Sequence, residues 1–289
     1  MRQKSTPYVF LSPFVILYLL VLIGPLVYAF YTSLFTSRLV GGVVFAGFTN
    51  YLRVFESPDF WSGVKRMVVF GVIQVSVMLG LAMLFALLFD LGVAVLGRVY
   101  RLVYFLPYAV PGVIGAILWG FMLEPQFGAL TGLIQDLGLG SPNLLASSAI
   151  LPVIGLIVTW QGTGFNTVII FTALRSIPHE VTEAAVLDGA RLGTVMFRVK
   201  LPLVGGAVTL SAFLGLIGTL QLFAVPYILL SYTSAITSYY TPNMYIYNLA
   251  FSGQEYNFAA ATSFLLAFMT IAGVILVTMV RRAMNRSRE

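Results

Sequence analysis

The sequence predicts an all-α fold: a polytopic membrane bundle of six transmembrane helices, with both termini in the cytoplasm. Three observations point there. Hydrophobic residues make up 59% of the 289 residues and charged residues only 9%, with a mean hydropathy of +0.96. That is more apolar surface than a soluble domain of this length can bury. Six apolar runs are each long enough to cross a hydrocarbon core of about 30 Å, which takes roughly 20 helical residues. None of these runs alternates apolar and polar residues as an outer-membrane barrel strand must, so helices fit and a barrel does not.

Taken in order, the runs cover 9–32, 67–89, 102–123, 149–172, 204–230 and 259–280. The first follows Arg2 and Lys4, as a signal peptide would. It is longer than a signal h-region and has no small-x-small cleavage site, so it reads as a retained helix. Gly24-Pro25 in the first run, and Pro107 and Pro111 in the third, mark kinks or helix starts. The stretch 127–137 is apolar but too short to span, and reads as an interfacial or re-entrant piece. Ser211, Gly215 and Gly218 in the fifth run, and Ala260, Ser263 and Ala267 in the sixth, form small-residue faces. Such faces allow close helix approach, either within the chain or against another subunit. Trp61, Tyr100, Tyr104, Trp119, Tyr239 and Tyr240 fall mostly where interfacial aromatic belts would sit. The polar linkers are short, so one domain is expected over 1–289, with a core at 66–280 and a polar island at 175–202.

Orientation follows from Lys and Arg outside the runs. The N-terminus, the 90–101 loop, the 175–200 loop and the C-terminal tail together hold twelve, against four (Arg38, Arg53, Lys65, Arg66) in the first loop. The loops at 124–148 and 231–258 hold none. Both termini and the island are therefore expected in the cytoplasm, with the first loop as the one dissenting element. Glu56 and Asp59 offset half of that loop's charge.

Composition also excludes several functions. The net charge of +6 comes from residues flanking the apolar runs, where they set topology, so nucleic acid is not expected as a partner. Without cysteine, disulfides, thiolate metal sites and thiol catalysis are ruled out. The lone His179 lies in the island, and the spans hold neither a paired carboxylate nor a Ser/His/Asp set, so no catalytic residue and no metal site is expected. No Gly-x-x-x-x-Gly-Lys-Ser/Thr loop is present, so the chain is not expected to bind ATP in that manner.

The island concentrates the charge. Between Arg175 and Pro202 lie four of the sixteen basic residues, three of the ten acidic ones and the only histidine. Arg175-Ser-Ile-Pro178 reads as a helix start, with Pro near the first helical position. From His179 to Asp188 the pattern is helical, with Val181, Ala184 and Ala185 on one face. Small Ala side chains there let another surface approach closely. Gly189 supplies a positive φ to end the helix. A second amphipathic piece follows over 190–199, and Leu201-Pro202 is expected to stop it before the fifth span. On physics alone this could be a solvated helical hairpin or a docking element.

The spacing has a closer match. Glu183-Ala-Ala, three residues, Gly189, nine residues, Val199, one residue, then Leu201-Pro202 resembles the signature (EAA) loop of ABC-importer permease subunits. Asp188-Gly189-Ala190 fits as well; Val199 stands where that family usually has Ile. Phe48-Thr-Asn50-Tyr51, Pro58-Asp-Phe60-Trp61, Phe105-Leu-Pro107, Leu174-Arg-Ser-Ile-Pro178 and Gln221-Leu-Phe223 are similar to the carbohydrate branch, in the maltose-type first-subunit group. Members of that group often carry a Gly-Gly-Pro-containing stretch after the fifth span. Here Ser231-Tyr-Thr-Ser-Ala-Ile-Thr-Ser-Tyr-Tyr240-Thr-Pro242 replaces it, leaving the substrate subgroup open. The resemblance implies a type I ABC-importer permease fold in a prokaryotic plasma (inner) membrane. It also implies a second permease subunit, two ATPase subunits that carry the ATP and Mg, and an extracytoplasmic substrate-binding protein. The island would be the ATPase-coupling element, with Glu183 and Asp188 as polar contacts, Ala184 and Ala185 as close-packing positions, Gly189 as the turn, and Leu201 and Pro202 completing the signature.

The pathway is marked more faintly. The spans hold no ionisable residue near their centres, since Asp90 and Glu124 lie at ends. That favours a neutral solute and an external energy source over ion coupling. Thr159, Thr163, Asn166 and Thr167 of the fourth run share about 100° of arc, with Trp160 at its edge. These groups could bind sugar hydroxyls and stack on a sugar face, or they could bond a neighbouring helix or their own backbone. Gln221 with Phe223 is a second candidate, and Gln74 reads as interhelical glue. The expected function is a permease subunit for a sugar or oligosaccharide. A non-sugar solute such as a polyol phosphate, an ion-coupled secondary transporter and a membrane-embedded enzyme are the alternatives.

Overall fold

The computed structural model describes residues 6–38, 41–91 and 97–286. Arg2, Lys4 and Arg288 lie outside the described residues, as do the side chains of Arg38, Arg98, Tyr100, Arg101, Arg281, Arg282 and Arg286. The chain divides into two compact units, Met1–Trp61 with Pro242–Glu289, and Ser62–Thr241.

In the first unit, α1 (Thr6–Tyr18), a π-helical turn (Leu19–Ile23) and α2 (Gly24–Ser33) make one apolar span. The Gly24 N–H reaches back five residues to the Leu19 carbonyl, just before Pro25, whose missing N–H weakens the ladder. Two short strands follow, β1 (Phe35–Arg38) and β2 (Gly42–Phe45), paired antiparallel with Phe35 opposite Phe45. This hairpin is an addition to the helical pattern expected from the sequence. After α3 (Thr49–Phe55), the chain returns to this unit with α14 (Pro242–Tyr247), a π-helical turn (Asn248–Ser252) and α15 (Tyr256–Arg286). Buried Asn50 donates to the carbonyls of Ser33 (2.8 Å) and Phe35 (2.7 Å), and Asn257 of α15 donates to Thr32 O at 2.8 Å. The Thr32 and Ser33 carbonyls, at the end of α2 where intrahelical partners run out, are satisfied in this way. Phe30 and Phe264 meet edge to face at 5.5 Å, seating α15 on α2.

The second unit holds most of α4 (Pro58–Asp90), then α5 (Gly97–Ala109), α6 (Gly112–Met122), α7 (Ala129–Asp136) and α8 (Ile150–Arg175). The island contributes α9 (His179–Leu187), α10 (Leu192–Thr194), a π-helical turn (Val195–Lys200) and α11 (Leu201–Leu203). The unit ends with α12 (Gly205–Leu220) and α13 (Ala224–Leu229). Helices long and apolar enough to span are Pro7–Ser33, Pro58–Asp90, Ile150–Arg175, Gly205–Leu229 and Tyr256–Leu276. The sixth expected span is a broken one, Leu102–Ala109 and Gly112–Met122, bent by 100°. Pro111 explains the break: it disfavours the helical region at Val110 and offers no N–H, and its own ψ of 138° is non-helical. The Val110 carbonyl accepts instead from Gln161 Nε2 of α8, at 3.4 Å. The 127–137 piece forms the short α7.

Small residues set the closest approaches. A Cβ on Gly164 of α8 would lie 1.9 Å from the Tyr104 carbonyl oxygen, so only glycine lets α5 backbone rest on α8 there. Gly215 of α12 packs against Val75 and Met78 of α4, and Ser211 is fully buried, whereas Gly218 faces open space. In α15, Ser263 and Ala267 are exposed.

Candidate functional site

The island has two halves with opposite character. In α9, Pro178 is the residue before the first turn (φ −55°, ψ 140°), Glu180 sits in that turn, and no residue of the helix is buried. An acidic group near a helix N-terminus is favourable for the peptide dipoles. Gly189 ends the helix at φ +78°. Its N–H bonds to Val186 O at 2.9 Å, and the Ala190 N–H bonds to Ala185 O at 3.0 Å. These are the two bonds of a Schellman stop, which needs a left-handed residue at the position Gly189 occupies. Glu183, Ala184, Asp188 and Gly189 are exposed and Ala185 half-buried. Leu187 is 86% exposed, so the helix presents polar groups and an apolar side chain on its surface.

The 192–204 half is anchored. Leu201-Pro202 does not stop the second helical piece: it continues through the π-helical turn and α11, and breaks at Val204 (φ −88°, ψ 7°). In the π turn the Leu201 N–H reaches Met196 O, five residues back, and Pro202 follows in the first turn of α11, where a missing N–H is tolerated. Leu201 is half-buried and Pro202 exposed. Met196 and Val204 are buried in a cluster with Ala82, Ala86 and Leu87 of α4 and Ile170 and Leu174 of α8. Beside it, Lys200 Nζ meets Asp90 Oδ2 at 2.6 Å, with the two side chains only 13% and 4% exposed. Sequence reading noted Asp90 merely as a charge at a span's end. The available signal was its place as the acidic residue closing α4, matched by Lys200 as the last cation before the fifth span.

The α8 stripe turns inward. Thr163 Oγ1 donates to Thr159 O at 2.6 Å, and Thr167 Oγ1 to Thr163 O at 2.8 Å. Thr159 Oγ1 donates to Gly155 O and accepts from Gln74 Nε2 at 2.6 Å, so Gln74 ties α4 to α8. Buried Asn166 donates to Gly162 O at 2.8 Å, while its Oδ1 has no partner. Trp160 is half-buried and meets Trp119 of α6 edge to face at 5.8 Å. The Trp119 Nε1–H is also buried without a partner, a site the aromatic-belt reading passed over. A cavity of about 350 Å³ beside Thr159, Trp160, Thr163 and Gly164 is otherwise walled by apolar side chains of α4, α5 and α8. Gln221 and Phe223 occupy the break between α12 and α13. Gln221 is exposed, and Phe223 is half-buried and stacks on Tyr227 at 4.9 Å.

Two cations of the dissenting first loop are held by the protein itself. Arg53 pairs with Glu255 and lies 4.1 Å from the centre of the Phe258 ring. Arg66 donates to Tyr240 O at 2.6 Å and covers the Tyr240 ring at 4.3 Å. The atypical 231–242 loop is pinned by that contact and by Thr233 Oγ1 donating to Leu145 O at 2.6 Å. Among the described residues no three His, Asp or Glu side chains gather as a metal ion would need.

The chain matches the family described as binding-protein-dependent transport system inner membrane component, over residues 78–289. It is 29% identical to the diacetylchitobiose uptake system permease protein of Streptomyces coelicolor, over 82% of this chain and 71% of that one. It is 28% identical to the sn-glycerol-3-phosphate transport system permease protein of Salmonella choleraesuis, over 93% of this chain and 92% of that one. Its fold resembles a chain from the crystal structure of a bacterial ABC transporter that imports the acidic polysaccharide alginate. The TM-score is 0.84 at 22% identity, covering 98% of this chain and 96% of that one. With the family match spanning residues 78–289, island included, this protein belongs to the inner-membrane components of binding-protein-dependent transport systems.

Proposed function

We propose that this permease forms half of the translocation pathway for a sugar or oligosaccharide and takes its drive from cytoplasmic ATPase subunits through the 175–202 island. The observation that carries the reading is α9, a well-capped helix with no buried residue, in a chain that belongs to an importer family. Glu183 and Asp188 offer polar contacts, Ala184 and Ala185 allow close approach, Gly189 makes the turn, and Leu201 and Pro202 lead back to the fifth span. Both termini and the island lie in the cytoplasm, consistent with the twelve-to-four charge asymmetry. Two of the four dissenting cations, Arg53 and Arg66, are engaged by internal partners. The chain is a transport subunit and binds no cofactor; ATP and Mg sit on the two ATPase partners. A second permease subunit completes the pathway, and an extracytoplasmic binding protein delivers the solute.

Gln221 and Phe223, at a helix break, and Trp160, Thr163 and Asn166 of α8 are the solute contacts. Interrupted helices present backbone and side-chain polar groups at membrane depth, where a hydroxylated solute needs them. A sugar is favoured by the diacetylchitobiose permease among the relatives. A polyol phosphate is the second reading, favoured by the similarity to a glycerol-phosphate permease along nearly the whole of both chains.

Purification from native membranes tests the assembly. Two ATPase subunits, a second permease and a binding protein are expected to accompany this chain, with uptake in proteoliposomes requiring ATP. Solute uptake by the isolated chain without ATP would overturn the reading. Ligand screening of the copurified binding protein then decides between a sugar and a phosphorylated polyol.

A further inference from the structure

We propose that the Asp90–Lys200 ion pair is a positioning element that locks the 192–204 half of the island to the inner end of α4, so that a push on α9 moves the spans instead of bending the linker. The inference rests on the reading of α9 as the ATPase-facing helix, and adds a pair that lies outside the signature spacing.

Three features support it. The pair joins residues 110 apart in sequence, linking the last residue of the 33-residue helix α4 to the end of the π-helical turn that precedes the fifth span. It is shielded from water, with side chains 4% and 13% exposed, so solvent and salt screen it little. It also borders the apolar cluster that already gathers α4, α8 and 192–204. That cluster supplies attraction without direction, because burial of apolar surface is indifferent to modest sliding. A carboxylate and an ammonium at 2.6 Å fix the register between the two segments. Stability alone does not account for the pair, since well-packed apolar residues commonly replace buried ion pairs at no loss. Within α9, by contrast, nothing is buried; the firm part of the island is the part that holds Lys200.

The test uses the complete importer in proteoliposomes, reading solute taken up per ATP hydrolysed. In Asp90→Asn and Lys200→Gln that ratio is expected to fall about tenfold or more, because one buried charge loses its partner, while the ATPases still copurify. The charge-swapped double variant, Asp90→Lys with Lys200→Asp, is expected to recover most of the loss. The chain has no cysteine, so Asp90→Cys with Lys200→Cys can be bridged by a short bis-methanethiosulfonate, which forms one disulfide with each thiol and releases two methanesulfinates, in an assembly whose partners carry no accessible thiol. Bridging should raise the ratio and reductant should lower it again. A wild-type ratio in both single variants, or a bridge that blocks uptake, overturns the proposal. Should the single variants fail to accumulate, the swapped variant decides: coupled uptake supports the lock, and accumulation with uncoupled hydrolysis overturns it. The reading of α9 fails separately, if Glu183→Lys keeps both wild-type uptake and its ATPases.

Discussion

Helices α8 and α9 are neighbours in the chain, with only residues 176–178 between them, yet they treat polar side chains in opposite ways. In α8, Thr163, Asn166 and Thr167 are buried, and each donates to a carbonyl of its own helix four residues back. In α9 and at its C-terminal cap, Glu183 and Asp188 are exposed, and the cap bonds come from backbone and a glycine. Where water is scarce a hydroxyl satisfies itself locally, because an unpaired polar group there costs several kcal/mol. Where water is plentiful the same need vanishes, and exposed polar groups remain free for a partner. The α8 hydroxyls are therefore committed mainly to their own helix, with the Asn166 Oδ1 left unpaired, while α9 is exposed surface.

Substitutions can break or sharpen this contrast. The largest stability effect belongs to α8: Gly164→Ala would force a methyl into the Tyr104 carbonyl. That costs about 3 kcal/mol, read as a lower melting temperature in detergent or as lost accumulation. Next comes Glu183→Lys in α9, which is expected to leave the melting temperature unchanged while uptake drops about 10- to 100-fold, the worth of a charge-assisted contact. An equal loss of stability in that variant would make α9 architecture as well. Gln221→Ala should raise the KM for solute about 3- to 10-fold at unchanged stability, as one lost hydrogen bond would. No change in KM would remove Gln221 from the pathway. The smallest effect is expected for Thr167→Val, at about 1 kcal/mol or less of stability and no change in uptake. A large uptake defect there would add Thr167 to the solute contacts proposed on α8.

The parts legible in the sequence were those written locally. Hydropathy located five long apolar helices and a sixth apolar run that folds as a bent pair, and spacing placed the island helix and its stop, because Gly189 at the end of a periodic run carries its own conformational reason. Pro111 announced a break in the third span, but the 100° angle has no local signature. Pro202 misled for a related reason: a π turn upstream absorbs the missing donor, and π turns leave no clear mark in composition. The Asp90–Lys200 pair was invisible because its partners are 110 residues apart. The polar stripe on α8 was found by its arc, yet arc alone could not tell a side chain facing a solute from one folded back on its own helix.

The division of the chain also fixes an order of manufacture. Residues Ser62–Thr241 are contiguous, so that unit is complete once its own segment has been made, whereas the other needs both ends of the chain. At the usual pace of translation, about 5–20 residues per second, α2 waits on the order of ten seconds or more for α15, the helix it packs against. The first span is suited to such a delay, since its most apolar window is entirely unburied even in the finished protein. A chain cut short before Pro242 would keep every internal contact of the 62–241 unit, and would strand the opening helix in the bilayer with its closing partner never made.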